Sequence, residues 1–307
     1  MIAVRPDTKA SPGKLIRAET LWMRRRLAFR IACAAGAAIV IVFIVLRFVS
    51  SDGDLAASVA LAEGELARME AELGEDAGLT VADVYVERRY IAAAQLPVDL
   101  AGVGVVLALV GMVLAGTSSG SEWRTGTVRL SFADYRSRAL PTFSRIGLWG
   151  ILWFVGSLIL LSFLAAGLCG VAAWRGLPGG VNGPETLGLL IRSSLLCGCG
   201  AAIGVGVATA FRSDALFLIC LLSYVLGFET LWPALALNSS VTPSAHLIQF
   251  VMARHSEPTG LLACEAPVCP ELFKGGAWDT AVLLAVLALT VLICGIAILR
   301  SRRPLWR

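Results

Sequence analysis

Long apolar runs alternate with short polar segments along almost the whole chain, a pattern typical of proteins that cross a membrane several times. A membrane-spanning helix needs about 20 mostly apolar residues. Six runs reach this length, and they predict transmembrane helices over residues 27–49, 98–116, 146–173, 186–211, 215–237 and 278–299. The expected fold class is therefore all-α, a polytopic membrane protein with one transmembrane domain over residues 1–307.

One polar segment, residues 120–129, separates the second and third predicted spans and reads GSEWRTGTVR. Because both of its neighbours belong in lipid, this segment must lie at a membrane surface. It combines one carboxylate with two glycines and two arginines and contains no catalytic pattern. Such a segment is better suited to binding a partner than to breaking bonds.

Composition and charge agree with a membrane protein and also orient it. Only 16% of the 307 residues are charged, against about 25% in soluble domains. With the N-terminus placed in the cytoplasm, 18 of the 26 basic residues fall on the inner side, together with five of the 22 acidic residues. Since cytoplasmic loops are enriched in Lys and Arg, both termini are predicted to be inside. The polar segment then belongs to a cytoplasmic loop, residues 117–145.

The segment before the first span has its own periodicity. Apolar residues at helical spacing and several arginines over residues 14–26 predict an amphipathic helix on the inner leaflet, where anionic lipids attract the positive charges. Membrane lipids are thus predicted partners. The alternative is that these arginines serve only as a topology signal.

The first outer loop, residues 51–97, contains a second regular pattern. Leu55, Val59, Ala62, Leu66, Met69 and Leu73 recur at alternating steps of four and three, as in the a/d seam of a coiled coil. This helix can pack on another outer helix, on the same helix of a second subunit, or on the outer loops of its own chain.

The last outer loop, residues 238–277, is long, and the region before the final span is expected to form short re-entrant helices buried in protein. It contains Cys264 and Cys269, with Pro267 between them. The outer compartment permits disulfides, so these two cysteines either form a bridge or remain free thiols.

Glycine and alanine are concentrated in the fourth predicted span. Gly198, Gly200, Gly204 and Gly206 lie on this helix. Small residues let helices approach closely in lipid, so this face is expected to pack inside the bundle or at a subunit interface.

Sites for chemistry are not predicted. None of the three lysines fits a Walker A loop, and the two histidines, His246 and His255, do not form a zinc-protease motif. Residues 116–120 match G-x-S-x-G, but they follow a membrane span rather than the strand that a nucleophile elbow requires. The chain is therefore expected not to be an enzyme, to bind no cofactor or metal, and to have no nucleic-acid partner.

Ionisable residues in spans often mark transport routes, but here they lie near the outer ends. Arg47 and Arg192 are explained most simply by snorkelling to the interface. Arg192 and Glu229 can alternatively form an outer ion pair between neighbouring helices. The middle of each span lacks charge, which favours a path for an amphipathic or apolar cargo with energy supplied from elsewhere.

The combined layout resembles the membrane subunit of type-2 ABC transporters, a permease family that includes bacterial drug, lantibiotic and polysaccharide exporters. In that family the loop after the second span carries a Glu, then a Gly-Thr pair, a basic residue and a further Arg. Here Glu122, Gly126, Thr127 and Arg129 occupy the corresponding positions, followed by Arg136 or Arg138. One departure is visible, because members often have Lys shortly before the third span and this chain has Arg145.

The resemblance implies a coupling helix that inserts into a groove of a separate ABC ATPase subunit, which would bind the ATP and Mg²⁺. Gly126 would permit a tight turn, Thr127 could cap the following helix, and Trp123 would anchor the segment at the membrane surface. The residues expected at this contact are Glu122, Trp123, Arg124, Gly126, Thr127 and Arg129, with Arg212 and Asp214 of the next inner turn as a smaller contact.

The expected assembly is a bacterial plasma-membrane exporter of two permease subunits, identical or related, with two ATPase subunits. The alternative is a non-transporting membrane scaffold or immunity protein that recruits partners through its outer helix and inner loops.

Overall fold

The computed structural model describes residues 20–21, 27–51, 55–73, 90–127, 139–177 and 183–231, together with residues 247, 251, 292–293 and 295–296. Almost all of them are helical, which confirms the predicted helical architecture for this part of the chain. The helices are α1 (Leu27–Ser50), α2 (Leu55–Leu73), α3 (Ala92–Thr125), α4 (Ala139–Arg175), α5 (Gly183–Phe211) and α6 (Asp214–Tyr224), which a π-helical segment (Val225–Leu231) continues.

Four described helices are long and apolar enough to cross a membrane, and they coincide with the first four predicted spans. Their apolar stretches are Phe29–Ser50, Gln95–Thr125, Pro141–Arg175 and Gly183–Phe211. In lipid the backbone must satisfy its own hydrogen bonds, which continuous helices achieve. The described helix at the fifth predicted span, Asp214–Gly227, is shorter.

Several predicted elements lie largely or wholly outside the described residues. They are the interfacial helix at 14–26, the short helices of the last outer loop and the sixth span at 278–299.

The four described spans alternate in direction along the chain. Near one end of the bundle the ring of Phe29 on α1 packs edge-on against Trp149 on α4, with centroids 6.0 Å apart. Near the other end Arg175 of α4 donates a 3.0 Å hydrogen bond to the carbonyl of Phe48 on α1. These two helices are therefore parallel to each other. The helices α3 and α5 are also parallel to each other, since Gly200 approaches Ala108 and Gly204 approaches Met112, and they run opposite to α1 and α4.

Glycines set the close approach of α5 to its neighbours. A Cβ at Gly204 would lie 2.2 Å from the carbonyl oxygen of Met112, and one at Gly200 would lie 2.9 Å from that of Ala108. Both distances are shorter than non-bonded atoms tolerate. The expectation that these small residues pack inside the bundle is therefore confirmed for the described helices.

The core between the spans is centred on Trp153 of α4, which is 1% exposed. Its indole nitrogen donates a 3.0 Å hydrogen bond to the carbonyl of Leu107 on α3. A buried indole N–H without an acceptor costs free energy, and the hydrogen bond to Leu107 avoids that cost. Gly111 makes room for the ring, because a Cβ there would lie 2.0 Å from the indole nitrogen.

A polar cluster closes the end of the bundle that carries Ser51 and Tyr90. Asp99, 4% exposed, forms an ion pair with Arg47 of α1 and accepts a 3.0 Å hydrogen bond from the hydroxyl of Tyr90. Burial, reinforced by the negative charge of Asp99, raises the pKa of the Tyr90 phenol well above its usual range. Arg47 therefore has a buried partner beyond the snorkelling expected from its position.

Two short strands join the same end of the bundle. Residues Tyr90–Ile91 (β1) pair in parallel with Gly176–Leu177 (β2), so that Tyr90 lies opposite Gly176. This pairing fixes the entry into α3 beside the exit from α4.

Candidate partner-binding site

The first half of the polar segment is helical, because α3 continues to Thr125 and does not end near Gly116. Hydroxyl groups in this stretch bond back to the carbonyls of the preceding turn. Thr117 donates to Val113 at 2.8 Å, and Thr125 donates to Ser121 at 3.0 Å. These bonds satisfy polar side chains within the helix itself. The helix can therefore continue from the apolar stretch into the polar segment.

Gly126 ends α3 in the left-handed conformation, with φ at +73°. Its backbone N–H donates to the carbonyl of Trp123 at 3.3 Å, as in a common helix C-cap. No atom lies within 4 Å of where a Cβ would stand, so glycine is favoured here by backbone conformation and not by lack of space. The expected tight turn is present.

Thr127 folds back onto the helix end. Its hydroxyl donates to the carbonyl of Glu122 at 3.3 Å and lies 3.2 Å from the hydroxyl of Thr125. In the described residues Thr127 thus helps to close α3. The helix that it was expected to cap would begin in residues 128–138, outside the described part.

The carboxylate of Glu122 points into the protein. It accepts a 2.5 Å hydrogen bond from the guanidinium of Arg145 on α4, and the two side chains are only 6% and 12% exposed. The sequence analysis assigned Glu122 to a partner contact, whereas the structure gives it a partner within the chain. The ion pair links the end of α3 to the start of α4.

The turn between α5 and α6 prepares the second half of the site. Arg212 has φ at +56°, in the left-handed region that is uncommon for residues other than glycine. Ser213 then caps α6 by accepting a 3.3 Å hydrogen bond from the backbone N–H of Leu216. Asp214 occupies the first turn of α6, where the helix dipole favours a negative charge.

The polar segment and this turn form one structure. A Cβ at Gly120 would lie 2.6 Å from the Cα of Asp214, so the two backbones touch. The guanidinium of Arg212 lies 5.2 Å from the centre of the Trp123 ring, a cation–π contact. Arg124 forms an ion pair with Asp214 at 3.4 Å. The sequence analysis predicted two separate contacts, and the structure joins them.

We call the combined surface the joint surface and define it by Trp123, Arg124, Gly126, Thr127, Arg212 and Asp214. Its most exposed charge is Arg124, whose side chain is 72% exposed. Behind it, the hydroxyls of Ser119 and Thr209 lie 3.2 Å apart inside the protein and connect α3 to α5. The surface thus presents an indole and two guanidinium groups on a rigid support.

The remaining predicted residues are placed as follows. Arg192 donates from Nε to the carbonyl of Gly188 at 3.2 Å, and Glu229 accepts a 2.7 Å hydrogen bond from the hydroxyl of Tyr224. The outer ion pair between Arg192 and Glu229 stays a prediction. Arg129, Cys264 and Cys269 lie outside the described residues.

The joint surface combines an indole, two guanidinium groups and one carboxylate. Within the described helices no group of three or more His, Cys, Asp and Glu side chains could hold a metal ion. Glu122, the carboxylate nearest to this surface on α3, is neutralised by Arg145. The exposed Arg124 and the Arg212–Trp123 contact favour binding to a protein surface, since Arg and Trp are enriched at binding hot spots.

Arg145, Ser119 and Thr209 were not predicted as parts of this site. A signal for the ion pair was present, because Glu122 follows the second predicted span and Arg145 immediately precedes the third, on the same predicted side of the membrane. The contact of Ser119 with Thr209 had no comparable signal, since hydroxyl groups at helix ends are common.

Comparison with known proteins supplies no relative for this chain. No family model, curated protein or solved structure matches it. The class that the fold defines is a helical protein with four described helices able to cross a membrane.

Proposed function

We propose that this chain is the membrane-spanning permease subunit of an ATP-driven exporter of the type-2 ABC transporter class. The joint surface would bind a separate ATPase subunit, which hydrolyses ATP with Mg²⁺. Movement of that subunit would be transmitted through α3 to the other spans. The cargo would be amphipathic or apolar, since the spans offer no charged residue near their middle.

The observation that carries the proposal is the union of the polar segment with the turn at Arg212–Asp214. Two inner segments far apart in sequence converge through Gly120, the Trp123–Arg212 contact and the Arg124–Asp214 ion pair. A solvated loop that serves only as a topology signal would not need a close backbone approach of this kind. A shared, supported surface is suited to receiving a partner.

The support for this surface has the mechanical properties that coupling requires. The Glu122–Arg145 pair attaches the end of α3 to α4, and Ser119 with Thr209 attaches it to α5. A force applied to the joint surface would therefore reach three spans together. In this role Glu122 is a positioning residue, whereas Trp123 and Arg124 are the proposed contact residues.

The proposed assembly contains six spans with both termini in the cytoplasm, an interfacial helix at 14–26 and short re-entrant helices before the last span. Two such permease subunits and two ATPase subunits would form the transporter in a bacterial plasma membrane. The charge asymmetry between the two sides supports this orientation.

The test is copurification of the chain with an ABC ATPase subunit from the cells that produce it. We expect Arg124→Glu to reduce the bound ATPase by about tenfold, because it reverses an exposed charge at the contact. The matched control is Arg30→Glu, which reverses an exposed charge near the start of α1, at the same end of the bundle as the joint surface. Thermal unfolding in detergent verifies that both variants remain folded.

Two results would count against the proposal. One is an ATPase subunit that binds the Arg124→Glu and Arg30→Glu chains as well as the original chain. The other is the lack of any bound ATPase in every preparation, which would favour a membrane scaffold or immunity protein.

A further inference from the structure

Helix α2 (Leu55–Leu73) carries an apolar seam in which Val59 and Leu66 are half-buried. It lies between α1 and β1, at the opposite end of the bundle from the joint surface. Among the described elements it packs extensively against none. Met69, a d residue of the heptad seam, is 39% exposed. A helix with such a seam gains little stability alone and is expected to pair.

The charges beside the seam determine what can pair with it. In the heptad register set by Val59 and Leu66 at a, Glu63 occupies an e position and Glu65 a g position, and both are exposed. One heptad later the same positions hold Glu70 and Glu72. Residues at e and g of a coiled coil face the partner helix and set its identity.

A second copy of α2 fits this arrangement poorly. In a parallel pair each g residue meets an e residue of the other helix, and in an antiparallel pair g meets g and e meets e. All of these combinations place glutamate opposite glutamate, and like charges at such positions are destabilising. The flanking charges therefore disfavour self-pairing near neutral pH.

We propose that the α2 seam binds a basic amphipathic helix, with apolar residues facing the seam and Lys or Arg facing Glu63 and Glu65. Burial of the two apolar stripes provides the attraction. The ion pairs on both sides select the partner and set its register. The inference goes beyond the permease proposal, because it concerns the opposite end of the bundle and does not require an ATPase.

The experiment uses the full chain in nanodiscs of zwitterionic lipid, so that lipid does not attract a cationic peptide. The probes are two fluorescent peptides of about three heptads, with leucine at a and d. One peptide carries lysine at e and g, and the other carries glutamate. Fluorescence anisotropy measures binding, and empty nanodiscs provide the blank.

We expect the lysine peptide to bind and the glutamate peptide not to bind. Glu63→Lys/Glu65→Lys should weaken binding of the lysine peptide by about tenfold, since each exposed ion pair contributes modestly. Glu185→Lys and Glu185→Lys/Thr186→Lys, at the start of α5, are the charge controls; they change the charge by two and three units, against four in the test variant, and both should bind as the original chain does. Leu66→Ser keeps the glutamates but should also weaken binding, because it interrupts the seam.

Three outcomes would overturn the proposal. The first is equal binding of the two peptides. The second is unchanged binding to either the Glu63→Lys/Glu65→Lys or the Leu66→Ser variant. The third is failure of the lysine peptide to bind. If light scattering then shows a dimer that Leu66→Ser dissociates, the seam belongs to a second copy of this chain.

Discussion

Among single residues, the pair formed by Glu122 and Arg145 bears most directly on the structure of the joint surface. Both side chains are nearly inaccessible to solvent. A buried ion pair contributes little net stability compared with apolar packing, but removing one member leaves the other charge buried without a partner. Replacing either residue alone is therefore expected to destabilise the protein strongly, whereas replacing both should cost less than the sum of the two single changes.

We predict that Glu122→Ala and Arg145→Ala will each lower the free energy of unfolding by about 3 kcal/mol. The double variant should be less destabilised than the sum of the two, because it removes both charges. The exposed Arg124→Ala is the control and should cost less than about 1 kcal/mol. Unfolding by sodium dodecyl sulfate in mixed micelles measures all four variants. Additive losses would show that the two residues do not interact.

The second residue-scale prediction concerns Tyr90. Its pKa is raised in the folded protein, so the phenol keeps its proton to a higher pH there than in the unfolded chain. The neutral phenol therefore stabilises the folded state fully below a pH of about 10, the ordinary pKa of tyrosine. This stabilisation decreases as the pH rises further.

Above pH 10 the free energy of unfolding should fall less steeply with pH in Tyr90→Phe than in the original protein, by up to about 1.4 kcal/mol per pH unit. The variant should also be less stable at pH 8, because Asp99 loses the hydrogen bond from the hydroxyl. Unfolding curves at several pH values between about 8 and 11.5 measure both effects. Curves that decline in parallel for the two proteins would contradict the assignment.

The sequence identified many residues of the joint surface but not their pairings. Trp123, Arg124, Arg212 and Asp214 were each predicted, since charged and aromatic residues between apolar runs are conspicuous. Arg145 was noted only as a departure from a family pattern, because nothing in the sequence indicates how two helix ends are rotated toward each other. Asp99 lies at the start of the second predicted span, and its contacts with Arg47 and Tyr90 were not predicted for the same reason.

At the scale of elements, packing of α5 against α3 depends on contacts between backbones. Gly200 and Gly204 face the carbonyls of Ala108 and Met112 along one side of α5. The concentration of small residues in this span predicted close packing, but it did not indicate which neighbour would be approached. That information depends on how the helices are arranged around the core, which sequence periodicity does not specify.

We predict that Gly204→Ala will destabilise the protein by about 1–3 kcal/mol, because the added Cβ meets backbone that cannot rotate away. Gly102→Ala is the matched control. No atom lies within 4 Å of its Cβ position, and alanine in a helix interior is favoured over glycine by about 0.5–1 kcal/mol. Equal effects of the two substitutions in the same unfolding assay would show that α3 and α5 do not touch at Met112.

The boundaries of α3 show a further limit of sequence reasoning at this scale. Apolar content predicted a span ending at residue 116, whereas the helix continues to Thr125. Hydropathy marks where lipid contact is favourable, but a helix ends where its hydrogen bonding ends. Here that point is Gly126, whose left-handed backbone closes the last turn.

At the scale of the whole molecule, the two ends of the bundle differ in character. One end carries the joint surface with the exposed guanidinium of Arg124, and the other carries the buried Asp99 cluster and the acidic helix α2. The distribution of Lys and Arg predicts that the first end faces the cytoplasm. This division supports the proposed arrangement of an ATPase at one end and a basic partner at the other.

Photocrosslinking from defined positions tests the central claim most directly. A benzophenone amino acid replaces either Thr125, which is exposed next to Arg124, or Glu185, which is exposed at the start of α5. Each chain is coexpressed with a candidate ABC ATPase subunit and irradiated in membranes. The account predicts a covalent product of this chain with the ATPase from position 125 and none from position 185. No product from position 125, or equal products from both positions, would contradict it.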